Sequence, residues 1–98
     1  MIEHIVLFEV IESTPSEKVE AMIQGLQSLK NEISEVVSLS CGANISDRGD
    51  GFTHGLVVRF DSAEALDAYL VHPCHQKLVQ ESVLPIVERI VVCDYVVT

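Results

Sequence analysis

Residues 3–11 have the character of a β-strand with no polar face. Val6, Phe8 and Val10 fall on one side with His4, and Ile5, Leu7 and Ile11 fall on the other. Successive side chains of a strand point to opposite faces, so a strand apolar on both must be covered on both. In a chain of 98 residues that demand is severe. Helices can cover one face of a sheet, but a small domain buries a low fraction of its surface. With 48% hydrophobic residues, the excess apolar surface implies a partner, most simply a second copy of the same chain.

The remaining segments fall into place around this strand. Thr14-Pro15-Ser16-Glu17 has capping-box spacing, with Thr14 accepting from the Glu17 amide and Pro15 at the first helical position. Val19, Met22, Ile23, Leu26 and Leu29 then recur at helical spacing. That helix is expected to end near Asn31, and Gly25 either weakens it or lets a neighbour approach. Residues 36–45 form a second strand in which Gly42 suggests a bulge. Residues 46–51 are a polar hairpin loop, and residues 52–60 a third strand with His54, Leu56, Val58 and Phe60 on one face. Asp61 to Glu64 starts a second helix carrying Ala65, Leu66, Tyr69 and Leu70, which Pro73 terminates. A short helical piece over 74–83 and a last strand over 87–97 complete the chain. The order strand-helix-strand, strand-helix-strand, without a linker, predicts a single α+β domain over residues 1–98. Its expected form is a ferredoxin-like β-α-β-β-α-β protomer, an antiparallel sheet with helices on one face. Two such sheets packed face to face would cover the other.

Charge and cysteine usage exclude several classes of partner. Six Lys+Arg stand against fifteen Asp+Glu, a net charge of −9. This repels phosphate backbones and provides no basic stripe for an anionic membrane, so neither nucleic acid nor membrane is an expected partner. Cys41, Cys74 and Cys93 are an odd number with no Cys-x-x-Cys spacing. They are expected to be reduced thiols packed as small apolar residues in a cytoplasmic protein. The N-terminus has no signal-like segment, and Glu88, Arg89 and Asp94 interrupt the apolar C-terminal run. No glycine-rich phosphate loop, nucleophile elbow or serine triad is present.

Residues 69–75 hold one tyrosine and two of the four histidines around Pro73. Together with the run His4 to Phe8, the block Gly51 to His54 and the pair Asp94-Tyr95, this stretch resembles the stress-responsive dimeric α/β-barrel (Dabb) family. The likeness spans essentially the whole chain and keeps the spacing between blocks. It implies a homodimer whose two sheets make a barrel. Most of the family has no assigned function. Its best-understood enzyme is the plant olivetolic acid cyclase, which closes a linear poly-β-ketone by an aldol-type condensation and retains the carboxylate. The site residues of that enzyme match His4, His54, Tyr69, His75 and Asp94. Some plant relatives also hold a magnesium-like ion on backbone carbonyls at the end of the first helix, where Lys30, Ile33 and Val36 stand here. Such unpaired carbonyls suit a hard cation, and an ordered water suits them too.

Read as chemistry, His75 would be the base, since a histidine titrates near neutrality. Asp94 would accept from its other ring nitrogen. Tyr69 would donate to a carbonyl oxygen as charge develops, and His4 and His54 would bind a polar tail or water. Carbon acids flanked by two carbonyls need no metal, so no cofactor is required. Each residue also has a plainer reading. His75 can cap the helix after Pro73, Tyr69 can be a core aromatic, and His4 and His54 can be structural. An inward-facing Asp94 needs a partner in any case, because an unpaired buried carboxylate is costly. His72 and His75 lack a third ligand at zinc spacing. Two functions stay open at this stage. One is a cofactor-independent enzyme acting on a small carbonyl, polyketide-like compound. The other is a non-catalytic stress-responsive dimer or small-ligand-binding module.

Overall fold

The computed structural model describes residues 1–98, and its elements follow the expected order. They are β1 (Ile2–Val10), α1 (Ser16–Glu32), β2 (Ser38–Ala43), β3 (His54–Phe60), α2 (Ala63–Leu70), α3 (Pro73–Leu78) and β4 (Val87–Val96). Between α3 and β4 the chain widens into a π-type turn, Val79–Val83, and then tightens into a 3-10 turn, Leu84–Ile86. The four strands form one sheet in the order β2-β3-β1-β4, and every neighbouring pair is antiparallel. No helix is long and apolar enough to cross a membrane.

The registers decide which side chains meet. Across β1, His4 pairs with Val58 of β3 and Asp94 of β4, Val6 with Leu56 and Val92, and Phe8 with His54 and Ile90. These residues share the face turned toward the helices. There Val6, Phe8, Leu56, Val58 and Phe60 pack with Met22, Leu26 and Leu29 of α1 and with Leu66 and Tyr69 of α2 into one buried core. Of the stripe expected on α1, Met22, Leu26 and Leu29 are buried, and Val19 and Ile23 are half-buried at its margin. Gly25 lies where α3 crosses α1, and a Cβ there would collide with the Leu78 side chain. It is a close-approach glycine.

The opposite face of the sheet has no covering layer. Leu7, Val57, Val91 and Tyr95 are exposed there. β4 is an edge strand, exposed throughout Glu88–Val96 on both faces. Part of the predicted surplus of apolar surface lies on this open face and this edge, while Val37, Ile45, Val71 and Leu84 are exposed elsewhere.

Three local expectations need correction. α1 starts without a side-chain cap. The Lys18 and Val19 amides both turn to the Pro15 carbonyl, and the Thr14 amide closes a turn on Ile11, so Thr14 belongs to the preceding turn. Gly42 marks no bulge, because the β2–β3 register runs unbroken from Ser38↔Arg59 to Ala43↔His54. The irregularity falls instead between Glu9 and Val10 in the β1–β4 pairing. Cys93 is not packed away; it is an exposed free thiol, whereas Cys41 and Cys74 are half-buried.

The hairpin loop has a specific restraint. Asp50 and Gly51 both take positive φ, 51° and 87°, as a tight reversal demands. Arg89 of β4 reaches the loop, donating to the Asp50 carbonyl and to Glu9, and its guanidinium lies 4.3 Å from the centre of the Phe52 ring.

Candidate functional site

α2 ends at Leu70 as Pro73 requires, but the proline also opens the next helix. It sits in the first turn of α3, with His72 as the cap, its Nδ1 accepting from the Cys74 amide at 3.1 Å. This bend fixes His75. Its Nδ1 lies 3.1 Å from the Leu70 carbonyl. A carbonyl can only accept, so Nδ1 carries the proton and Nε2 keeps its lone pair. The His75 ring then rests against Tyr69, with centroids 4.5 Å apart.

Tyr69 is the centre of the arrangement. It is 0% exposed, and its ring packs 5.0 Å from Phe60 and 6.0 Å from His4. Its hydroxyl is buried without a hydrogen-bond partner. Burial pushes its pKa up to about 12, because the phenolate would lose its hydration. At neutral pH Tyr69 is a donor with nothing to donate to.

His4 completes the group. It is 4% exposed, and its Nδ1 lies 2.5 Å from Asp94 Oδ1, directly across the β1–β4 pair. The carboxylate can only accept, so Nδ1–H donates to it. Asp94 lies on the helix-facing side of the exposed edge strand, with its side chain 37% open to solvent, so burial does not oblige it to pair, yet it does contact a histidine. The histidine, however, is His4 and not His75, because strand register puts His4 opposite Asp94 while a local bond commits His75 to Leu70.

A cavity of about 190 Å³ opens beside these groups. His4, Tyr69 and His75 line it together with Val6, Phe8, Leu26, Leu56, Leu70, and then Val79, Val83, Ile90 and Val92. Burial lowers the pKa of His75, as do the nearby His4 and His72, against an opposing pull from the Leu70 carbonyl. His75 is therefore neutral at pH 7, with Nε2 able to take a proton. The set places two imidazoles and one phenol donor in an otherwise apolar space.

His54 does not join them. It shares their face but pairs with Phe8, four residues along β3 from the Val58 that faces His4, or about 13 Å. Its Nδ1 contacts the Thr53 hydroxyl at 2.8 Å, and burial lowers its pKa. It lies beside a separate groove of about 460 Å³ lined by Ile5, Leu7, Cys41, Ile45 and Phe52. The sequence reading missed the apolar walls of the cavity itself. Their signal was present: Val79 and Val83 are one helical turn apart, and Ile90 and Val92 alternate with Asp94.

The carbonyls of Lys30, Ile33 and Val36 lie at the end of α1 and in the turn after it. That of Ile33 accepts from the Val36 amide at 3.2 Å and keeps one lone pair. Neutral carbonyls of this kind are compatible with a hard cation. No group of three or more His, Cys, Asp or Glu side chains is gathered to hold a metal.

Fold and site together define a ferredoxin-like α+β domain with a cavity lined by titratable side chains between its sheet and its second helical segment. Known proteins place it more closely. The chain belongs to the stress responsive A/B barrel domain family, Dabb, whose family model matches residues 2–97. A stress-response A/B barrel domain-containing protein of Arabidopsis thaliana is 39% identical over 98 residues, 98% of this chain. The chain spans only 36% of that relative's length. Among solved structures, the hydroxynitrile lyase of Passiflora edulis superposes with a TM-score of 0.91 at 25% identity, covering 99% of this chain and 93% of that one. A ferredoxin-like protein of Bacteroides fragilis, described as dimeric, gives a TM-score of 0.72 at 25% identity, covering 96% and 93%.

Proposed function

We propose that the cavity is a cofactor-independent acid–base site for a small carbonyl compound, carried by a homodimeric domain. The observation that carries this reading is the buried hydroxyl of Tyr69, without a protein partner, opening on a cavity that His4 and His75 also line. In this reading Tyr69 donates to the carbonyl oxygen of the substrate and His75 Nε2 removes or returns a proton. Asp94 acts through His4, holding its tautomer and offsetting positive charge if that ring is protonated. His54 stays outside the cavity and would serve only a longer substrate. The likeness to a hydroxynitrile lyase supports the chemistry, since a hydroxynitrile is the adduct of a carbonyl with cyanide. The uncovered apolar face, with the dimeric Bacteroides fragilis neighbour, supports the homodimer. A magnesium-like ion on the carbonyls of Lys30, Ile33 and Val36 would brace the turn between α1 and β2, and no proton transfer runs through it.

The test is α-proton exchange of small ketones and turnover of small hydroxynitriles, followed by NMR in D₂O. The wild type accelerates one of these over buffer. His75→Ala loses about 10²-fold or more, the usual contribution of a positioned general base. If His75→Ala and the wild type have equal rates, the acid–base role fails.

A further inference from the structure

The same cavity, if it works as proposed above, also constrains the charge and size of what it accepts. Its polar groups are gathered at one end, in His4, Tyr69 and His75. The rest of the wall, from Leu26 and Leu56 to Val79, Val83, Ile90 and Val92, is aliphatic. None of the six Lys+Arg residues lines it. Arg59 is committed to Glu3 at 2.6 Å and Arg89 to Glu9. Lys77 lies in a different groove, between α1 and α3. The charged group bound to the polar end is the Asp94 carboxylate, through His4. A carboxylate or phosphate entering here would lose its hydration, find no cation and face an existing negative charge. An uncharged carbonyl would meet the Tyr69 hydroxyl, a buried side-chain donor without a protein partner.

Size narrows the class further. An apolar cavity of about 150 Å³ holds benzene, with six heavy atoms. A space of about 190 Å³ therefore takes roughly seven or eight. Ile90 and Val92 are both exposed and both line the cavity, so it reaches the surface at β4.

We propose that this site selects an uncharged aldehyde, ketone or carbonyl adduct of about eight heavy atoms, with its oxygen on the Tyr69 hydroxyl and its short apolar tail along Val79, Val83 and Val92. Acid-terminated poly-β-ketones are excluded on charge and on length.

The experiment compares 2-heptanone with hexanoate, two linear probes with the same number of heavy atoms, by ¹H–¹⁵N NMR titration at pH 7. The ketone binds at least about tenfold more tightly, with shifts centred on Leu56, Val79 and Val92, and 2-undecanone binds more weakly than 2-heptanone. Val92→Arg, at an exposed position that tolerates a long side chain, raises hexanoate affinity and narrows or inverts the ranking. Equal or tighter binding of hexanoate by the wild type overturns the charge selection and leaves the acid–base reading intact. Binding of neither probe overturns both. Undecanone binding as tightly as heptanone overturns the size limit.

Discussion

Replacing Tyr69 with phenylalanine is expected to stabilise this protein while disabling the proposed site. The hydroxyl is buried and partnerless, and such a group costs about 1–3 kcal/mol. Water entering the cavity can recover part of that, so the gain on Tyr69→Phe is about 1 kcal/mol. The ring, with its contacts to Phe60, His4 and His75, is retained. In a domain of this size 1 kcal/mol moves the melting midpoint by roughly 4–8 °C. Alkaline pH adds a second signature. Burial raises the tyrosine to about 12, against about 10 in the unfolded chain. A group whose folded pKa is raised contributes stability that is complete below the unfolded value and is lost as pH climbs through the folded one. The wild type therefore loses about 3 kcal/mol between roughly pH 10 and 12 through this residue, and Tyr69→Phe loses none of it. Thermal and urea melts of both proteins at pH 7 and across the alkaline range read both effects. A variant less stable than wild type by more than about 1 kcal/mol at pH 7 would mean the hydroxyl has a firm partner. Tyr69 would then not be a free donor for a bound carbonyl.

Two other perturbations probe the neighbouring histidines. Asp94→Ala leaves the buried Nδ1–H of His4 without its acceptor; the expected loss is about 1 kcal/mol, because Asp94 is itself partly open to solvent, and unchanged urea midpoints would show that the pair contributes nothing. His75 has the opposite pH sense from Tyr69. Its lowered pKa favours the neutral ring in the folded state, so its contribution is present above about pH 6.5 and fades as pH falls through the lower folded value; His75→Gln should flatten that acid limb, and an unchanged limb counts against burial as the cause.

The parts of the site legible in the sequence were those set by local chemistry. Pro73 had to end α2, and the spacing of Leu66 and Tyr69 had to turn both inward. Asp94 needed a partner only if it were withdrawn from water. Which partner was not legible, because it depends on the register of two strands ninety residues apart in the chain. A shift of two residues would have kept every face correct and moved Asp94 away from His4. The same kind of distance misplaced His54: alternation put it on the right face, but only the pairing with Phe8 puts it at the far end of the strand. Thr14 failed for a smaller reason, since the motif at its position was sound but the preceding turn claimed its backbone.

β4 links the open face to the cavity. Its even-numbered residues Ile90, Val92 and Asp94 serve the cavity and the His4 pair, while Val91, Cys93 and Tyr95 between them face the uncovered side. A ten-residue edge strand, mostly apolar on both faces, can slip or pair with another chain unless particular side chains fix it. The features that hold its register here are specific: the His4–Asp94 bond near one end and the Arg89–Glu9–Asp50 cluster at the other. A one-residue slip would carry Asp94 to the open face and bring Cys93 or Tyr95 beside Tyr69. In the proposed dimer, a second sheet packed on Val91 and Tyr95 would oppose that slip. Covering the open face and keeping His4, Tyr69 and the proposed acid–base group assembled are then one requirement, placed on opposite sides of the same strand.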